Sequence, residues 1–293
     1  VIIMTETGRT ARSNTVAVLT FAVDAETPIL SAGRRYAEHA MVMTHQAFGP
    51  RVGVPRLLEL LGEYGIRATF FVPGLTAEWW PKTVTAILEA GHEVAHHSYS
   101  HRPPTTISDL EDEREFALGL EALHRVGARP TGYRAPMWAA AWRTADLIRE
   151  HGLIYDSSLM DDDRPYVIST GRGEIAEIPP HWSLDDWEQY AYLADPVIGA
   201  HVEPPDKAVA LWRAELDGMR RHGGLFVLTN HAFLSGRAGR VEGLRSLIEY
   251  ALGLGDVEFA TAEEVALRAL ADPAVLRHTP RPPVVDSLMY PNW

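Results

Sequence analysis

GHEVAHHSYSH, residues 91–101, admits two readings that put the chain on different folds. Its first half, His92-Glu93-Val94-Ala95-His96, fits H-E-x-x-H, in which two histidines on one helix face hold zinc and the glutamate acts as base. Its second half offers another pair four residues apart, His97 and His101. With 13 histidines in 293 residues, roughly one H-x-x-x-H pair is expected at random, so spacing alone decides nothing.

The flanking chain does decide. Residues 81–90 read as a helix with Val84, Ile87 and Leu88 on one face, and Gly91 stands where a left-handed residue ends it. Glu93-Val94-Ala95 is then a short strand, not the helix that H-E-x-x-H needs. The extended zinc-protease form also fails, because Tyr99 stands where a glycine is required and Arg102 where a third histidine is required. A downstream glutamate ligand, Glu111 or Glu113, is the one form of that reading left open.

Outward from this stretch, strands and helices alternate. Apolar or β-branched runs at 16–23, 68–72, 93–95, 175–178, 225–229 and 257–259 read as strands. Helical spacing marks 54–64, 81–90, 108–126, 141–151, 206–222, 241–252 and 261–270, two of them opening with capping boxes, Ser108-x-x-Glu111 and Thr261-x-x-Glu264. This order predicts an α/β fold with a parallel sheet, a (β/α) barrel or an incomplete one. Residues 1–14 read as a polar tail, 15–276 as a single domain and 277–293 as a Pro-rich arm.

Chemically capable residues recur just past the strand ends. The first strand runs into Asp24, the strand at 93–95 into His97 and His101, Tyr133 into Arg134, and the strand at 225–229 into His231. In a barrel that end carries the active site. Two histidines and a carboxylate are a standard zinc set with positions open to water and substrate. Such a metal lowers the pKa of bound water and polarises a carbonyl.

Composition excludes other classes. Lys plus Arg is 27 against 39 Asp plus Glu, a net charge of −12, so neither nucleic acid nor an anionic membrane is expected as partner. No cysteine is present, which removes disulfides, thiolate metal sites and cysteine nucleophiles. The N-terminal stretch VIIMTETGRTARSN has no apolar core of signal-peptide length, so a cytoplasmic location is expected.

The chain resembles the polysaccharide deacetylase superfamily over residues 15–270. The matching pieces are LTFAVDAE (19–26), RATFFVPG (67–74), GHEVAHHSYSH (91–101), GYRAP (132–136), YDSSLMDDDRPY (155–166), IPPHWSLDDW (178–187) and LTNHAFLSGR (228–237). The VDAE, DSSLMDDDRPY and SLDDW pieces point to a subgroup with peptidoglycan-deacetylase-like proteins, cyclic imide hydrolases and, more distantly, metal-independent allantoinases. The resemblance implies a distorted (β/α) barrel, often seven-stranded. It implies Asp24, His97 and His101 as ligands of zinc or another divalent transition metal, Arg134 orienting an acidic partner, Pro136 shaping that loop, and His231 as the acid that protonates the leaving nitrogen.

One position departs from the pattern. Relatives carry an aspartate as general base where this chain has Ala22, and a methyl group takes no proton. Three explanations compete: an engineered Asp-to-Ala change, a base elsewhere with Glu26 or Asp186 as candidates, or different chemistry of the cyclic-amide kind. Asp185 and Asp186 lie between Trp182 and Trp187; Asp186 and Trp187 are taken for the pocket, Trp80 for its mouth and His45 for the pocket or a subunit contact. His96 is expected to pack beneath the site and His92 to be a surface residue.

The expected function is metal-dependent hydrolysis of a non-peptide amide, N-deacetylation of an amino sugar in the first instance. A cyclic imide or ureide hydrolase acting on a small metabolite is the alternative, and a non-catalytic ligand-binding barrel the second. The apolar end of the arm, with Leu288, Met289, Tyr290 and Trp293, suggests a homo-oligomer.

Overall fold

Strands β1 (Thr15–Ala22), β2 (Thr69–Val72), β3 (Glu93–His96), β4 (Gly132–Tyr133), β5 (Tyr155–Asp156), β6 (Tyr166–Thr170), β7 (Gly173–Glu177), β8 (Leu193–Ala194), β9 (Val197–Ile198), β10 (Phe226–His231) and β11 (Val257–Phe259) alternate with helices along the chain. They come from a computed structural model that describes residues 14–285. The polar tail to residue 13 and the apolar end of the arm, including Leu288, Met289, Tyr290 and Trp293, lie outside the described residues.

Parallel ladders join β10-β1-β2-β3-β4-β5-β7 in that order, the seven-stranded arrangement of a distorted (β/α) barrel. Strand β6 returns antiparallel on β7, and β11 pairs with the first residues of β1. Among the described residues no ladder joins β7 back to β10. Instead the chain leaving β7 crosses at the C-terminal end of the strands. There Asp185 forms a parallel bridge with Thr229, and the Asp186 N–H donates to the Thr229 carbonyl at 3.1 Å.

Both faces of the sheet are buried, which is why its strands read as nearly continuous apolar runs. Alternate residues of β1 (Ala17, Leu19, Phe21) turn outward and pack with Leu57 and Leu61 of helix Val54–Tyr64 and with Leu244 and Ile248 of helix Ala238–Leu254. The intervening set (Val18, with Phe71, Ala95, Tyr155 and Val227) turns inward. It packs against Val265 and Ala269 of the last helix, Ala262–Ala271, so that helix fills the interior beside β7. Burying a side chain of the Val, Leu or Phe kind contributes about 1.5–3 kcal/mol, so this double packing fixes the register and with it the layer above.

Two capping boxes form as read, at Ser108/Glu111 and Thr261/Glu264. Gly91 takes φ +80° and ends the helix Pro81–Glu89, and Glu93–His96 is a strand. The helical H-E-x-x-H reading therefore fails. His92 corrects a second expectation. It is buried rather than on the surface, and its Nδ1 accepts the Ala68 N–H at 3.2 Å.

The hairpins β6–β7 and β8–β9 and the helices Thr27–Ala32 and Ala40–Phe48 lie where the sequence signals only loops or a lone strand. Their apolar residues are too few for a period to emerge. No helix among the described residues is long and apolar enough to cross a membrane.

Candidate active site

Asp24 sits two residues beyond the ladder of β1 and continues its inward-facing set. Its carbonyl accepts the hydroxyls of Thr27 and Thr76, each at 2.8 Å, which pins the turn. Its carboxylate is buried, and neither oxygen has a hydrogen-bond partner among the described residues. Facing it are His97 Nε2 at 3.6 Å from Oδ1 and His101 Nε2 at 3.7 Å from Oδ2.

The His97 Nδ1 lies 2.6 Å from the Arg134 carbonyl. A carbonyl only accepts, so Nδ1 carries the proton and Nε2 presents its lone pair to Asp24. The loop that delivers His101 bends through left-handed residues, Ser98 at φ +63° and His101 at φ +61°. Glu115 of helix Asp109–Arg125 holds it by accepting the Ser100 N–H and hydroxyl, each at 2.7 Å.

Burial is the main cause that lowers the pKa of both His97 and His101. Neutral imidazoles bring no charge to the orphaned carboxylate, and the one cation facing it among the described residues is His231, with Nε2 3.9 Å from Oδ2. One ligand atom from each of the three residues lies within 4.8 Å of the others. A buried anion aimed at two nitrogen lone pairs fits a divalent cation of the zinc type and little else.

His231 closes the far side. Its Nε2 is 3.9 Å from Asp24 Oδ2, and its Nδ1 is 2.7 Å from Asp186 Oδ1. Asp186 also accepts the His231 N–H and the Ser235 hydroxyl, so its carboxylate is fully engaged beneath the ring. Burial opposes a charge on His231, but the neighbouring Asp185 and Asp186 outweigh it and raise its pKa to about 9. The imidazole is thus a cation at neutral pH, with its ring tilted against Trp187 at 5.1 Å between centroids.

Arg134 departs from expectation. Its guanidinium lies inside the barrel, donating to Thr20 and Thr229 hydroxyls at 2.9 and 3.2 Å and to the Ser157 hydroxyl and carbonyl at 2.8 and 3.1 Å. It stacks 4.1 Å from the Phe71 centroid. No carboxylate among the described residues bonds it, although Asp185, Asp156 and Glu177 face its charge. Burial lowers its pKa to about 10, which leaves it cationic.

These groups line a pocket of about 780 Å³. Ala22 lies at its floor, and Met137, Trp138, Trp182, Trp187 and the β8–β9 hairpin form much of its wall. Five expected residues are not in the lining, and Asp186, taken for the pocket, is one of them: its carboxylate lies beneath the His231 ring while Asp185 lines the cavity. Glu26 accepts the Trp80 indole N–H at 2.9 Å, so the two engage each other. His45 stands on a helix with its ring against Phe233, and Pro136 is buried behind the lining residues Ala135 and Met137. Glu111 is spent on its capping box, and His96 packs between Phe116 and Tyr133.

Sequence reasoning passed over Asp185, Trp138 and Trp182. The doubled aspartate was the visible signal, but which of the two faces the pocket depends on the bridge to Thr229.

A family model described as polysaccharide deacetylase matches residues 38–155. A peptidoglycan deacetylase of Helicobacter pylori is 31% identical over 247 residues, covering 75% of this chain and 84% of the relative. Among solved structures, a protein of Mycobacterium smegmatis assigned to the polysaccharide deacetylases is 43% identical with a TM-score of 0.90, over 95% of this chain and 98% of the other. The allantoinase PuuE shares the fold at 21% identity and a TM-score of 0.76, over 90% and 93% of the two chains.

Proposed function

The chain belongs to the polysaccharide deacetylase family, and from that premise we propose that it hydrolyses the amide C–N bond of an N-acetylated amino sugar with the help of one divalent metal ion. The observation that carries the reading is the partnerless carboxylate of Asp24 facing two neutral imidazoles. Asp24, His97 and His101 would hold the ion, which supplies an activated water and a polarised carbonyl when bound.

The chain's own residues do the rest. His231, kept cationic by Asp185 and Asp186, delivers a proton from Nε2 to the departing nitrogen. Asp186 holds the ring so that Nε2 points at the pocket. Arg134 props the floor by tying β4, β1 and β10 together through hydroxyls. Trp138, Trp182 and Trp187 give the pocket an apolar wall, which strengthens the charge interactions beside it.

A second reading has its own support. The pocket wall is largely aromatic and aliphatic, and the β8–β9 hairpin contributes Val197 and Ile198 to it, which suits a small flat cyclic imide or ureide as well as a sugar ring.

Metal analysis of the purified protein is expected to find about one transition-metal ion per chain. His97→Ala should lose it. Assays on chitooligosaccharides and on succinimide or phthalimide then choose the substrate class. Absence of metal, with His97→Ala changing nothing, sinks the metalloenzyme and leaves a ligand-binding barrel.

A further inference from the structure

Position 22 offers no proton acceptor, yet the pocket is lined by the Asp185 carboxylate, which so far has served only as a charge beside His231 and Arg134. Ala22 is the register partner of His231 on one flank of β10. On the other flank Thr229 bridges to Asp185, so residues 22 and 185 reach the same cavity from opposite sides of one strand. Asp185 is 5% exposed and lines the pocket with Ala22, Arg134, Thr229 and His231. Its Oδ1 accepts the Trp187 N–H at 2.8 Å, and that oxygen lies 3.5 Å from His231 Nδ1. Asp186 is different in kind, because its oxygens are taken by the His231 N–H and ring and by Ser235, and it does not line the pocket. Glu26 is engaged with Trp80 outside the lining.

We propose that Asp185 is the general base of this chain, accepting the proton that Ala22 cannot. This rests on the hydrolase reading given above. Water oxygen bonds to the amide carbonyl carbon while one water proton passes to the Asp185 carboxylate. The C–N bond then breaks as His231 gives its Nε2 proton to the nitrogen. Acid and amine leave, and the proton held on Asp185 is returned through solvent to His231, so the enzyme is restored and one water is consumed. Burial, the largest influence, raises the Asp185 pKa to about 7, with the cations His231 and Arg134 pulling against it. A base matched to neutral solution is what such a step needs.

The experiment is a pH–rate profile of the metal-loaded wild type, Asp185→Asn, Asp185→Glu and the double variant Asp185→Asn/Ala22→Asp, with circular dichroism and metal content checking that each is folded and loaded. Asp185→Asn should lower kcat/KM by about 10²–10⁴ and abolish the acidic limb of the profile. Asp185→Glu should keep the limb, and Ala22→Asp should restore at least about tenfold of what Asp185→Asn lost. Asp185→Asn with the wild-type rate overturns the assignment. So does a reduced rate with the acidic limb intact, the behaviour of a residue that only positions His231. An inactive wild type that gains turnover on Ala22→Asp also overturns it. Wild-type turnover with its metal stands for the hydrolase reading whatever the Asp185 variants do, so the two failures are distinguishable.

Discussion

Asp24 places two buried oxygens, with no hydrogen-bond partner among the described residues, opposite two neutral imidazole nitrogens, with the His231 cation no nearer than 3.9 Å, a configuration that favours a bound cation. Asp24→Asn should reduce metal content well below one ion per chain while the strands persist, as metal analysis and circular dichroism would register. Arg134 makes the opposite case, a buried cation satisfied by hydroxyls and one carbonyl. Arg134→Lys cannot reproduce the planar fork and leaves Thr and Ser groups short of a donor, so thermal unfolding should report a loss of about 1–3 kcal/mol. Asp24, His97, His101 and His231 were legible because each follows a strand whose apolar run is visible in one dimension. Asp185 and Asp186 were not separable. Adjacent residues in extended chain point to opposite sides, and only the contact with Thr229 says which side is the pocket.

At the scale of elements, β4 and β5 are two residues each and depend on a glycine. A Cβ on Gly132 would stand 1.9 Å from the Tyr155 ring, whose hydroxyl donates to Glu93 at 2.6 Å. Gly132→Ala should therefore force β4 and β5 apart, lowering stability by about 1–3 kcal/mol or more in denaturant melts. The same region carries a pH signature. Asp156 and Glu177 are register partners on β5 and β7, both buried. Burial is the main cause raising Asp156 to about 6 and Glu177 well above the usual carboxyl range. Between the ordinary carboxyl pKa near 4 and these raised values, the unfolded chain has released protons that the folded chain keeps. Stability from this pair is thus full at low pH and falls as pH rises through about 6. Denaturant titrations across that window should show the fall, and Glu177→Gln should flatten it. Long helices with caps announced themselves in the sequence, whereas β4, β5 and the β8–β9 hairpin carry too few residues to set a period.

For the whole molecule, the arm begins by protecting an edge. Arg277 bridges to Val167 of β6, and the Ser169 N–H donates to the Thr279 hydroxyl at 3.2 Å, so the outer edge of β6 does not stand bare. Farther on, Val284 is fully exposed and Val285 is 55% exposed. We propose a homo-oligomer in which the arm contacts its own or a neighbouring subunit; if it seats on the neighbour, a chain ending at residue 278 elutes from gel filtration as a smaller species than the full chain. An unchanged elution volume would assign the arm to its own subunit.

From its residues alone the chain determined the β/α alternation, the sense of its sheet and the strand ends where chemistry collects. These follow from period, capping and burial, which are local or nearly so. Tertiary structure decided how the ring is bridged between β7 and β10, that Arg134 answers to hydroxyls rather than a carboxylate, and that Asp185 rather than Asp186 opens onto the pocket. Each of those depends on which two strands far apart in sequence come to lie side by side, and that is fixed only when both faces of the sheet are packed.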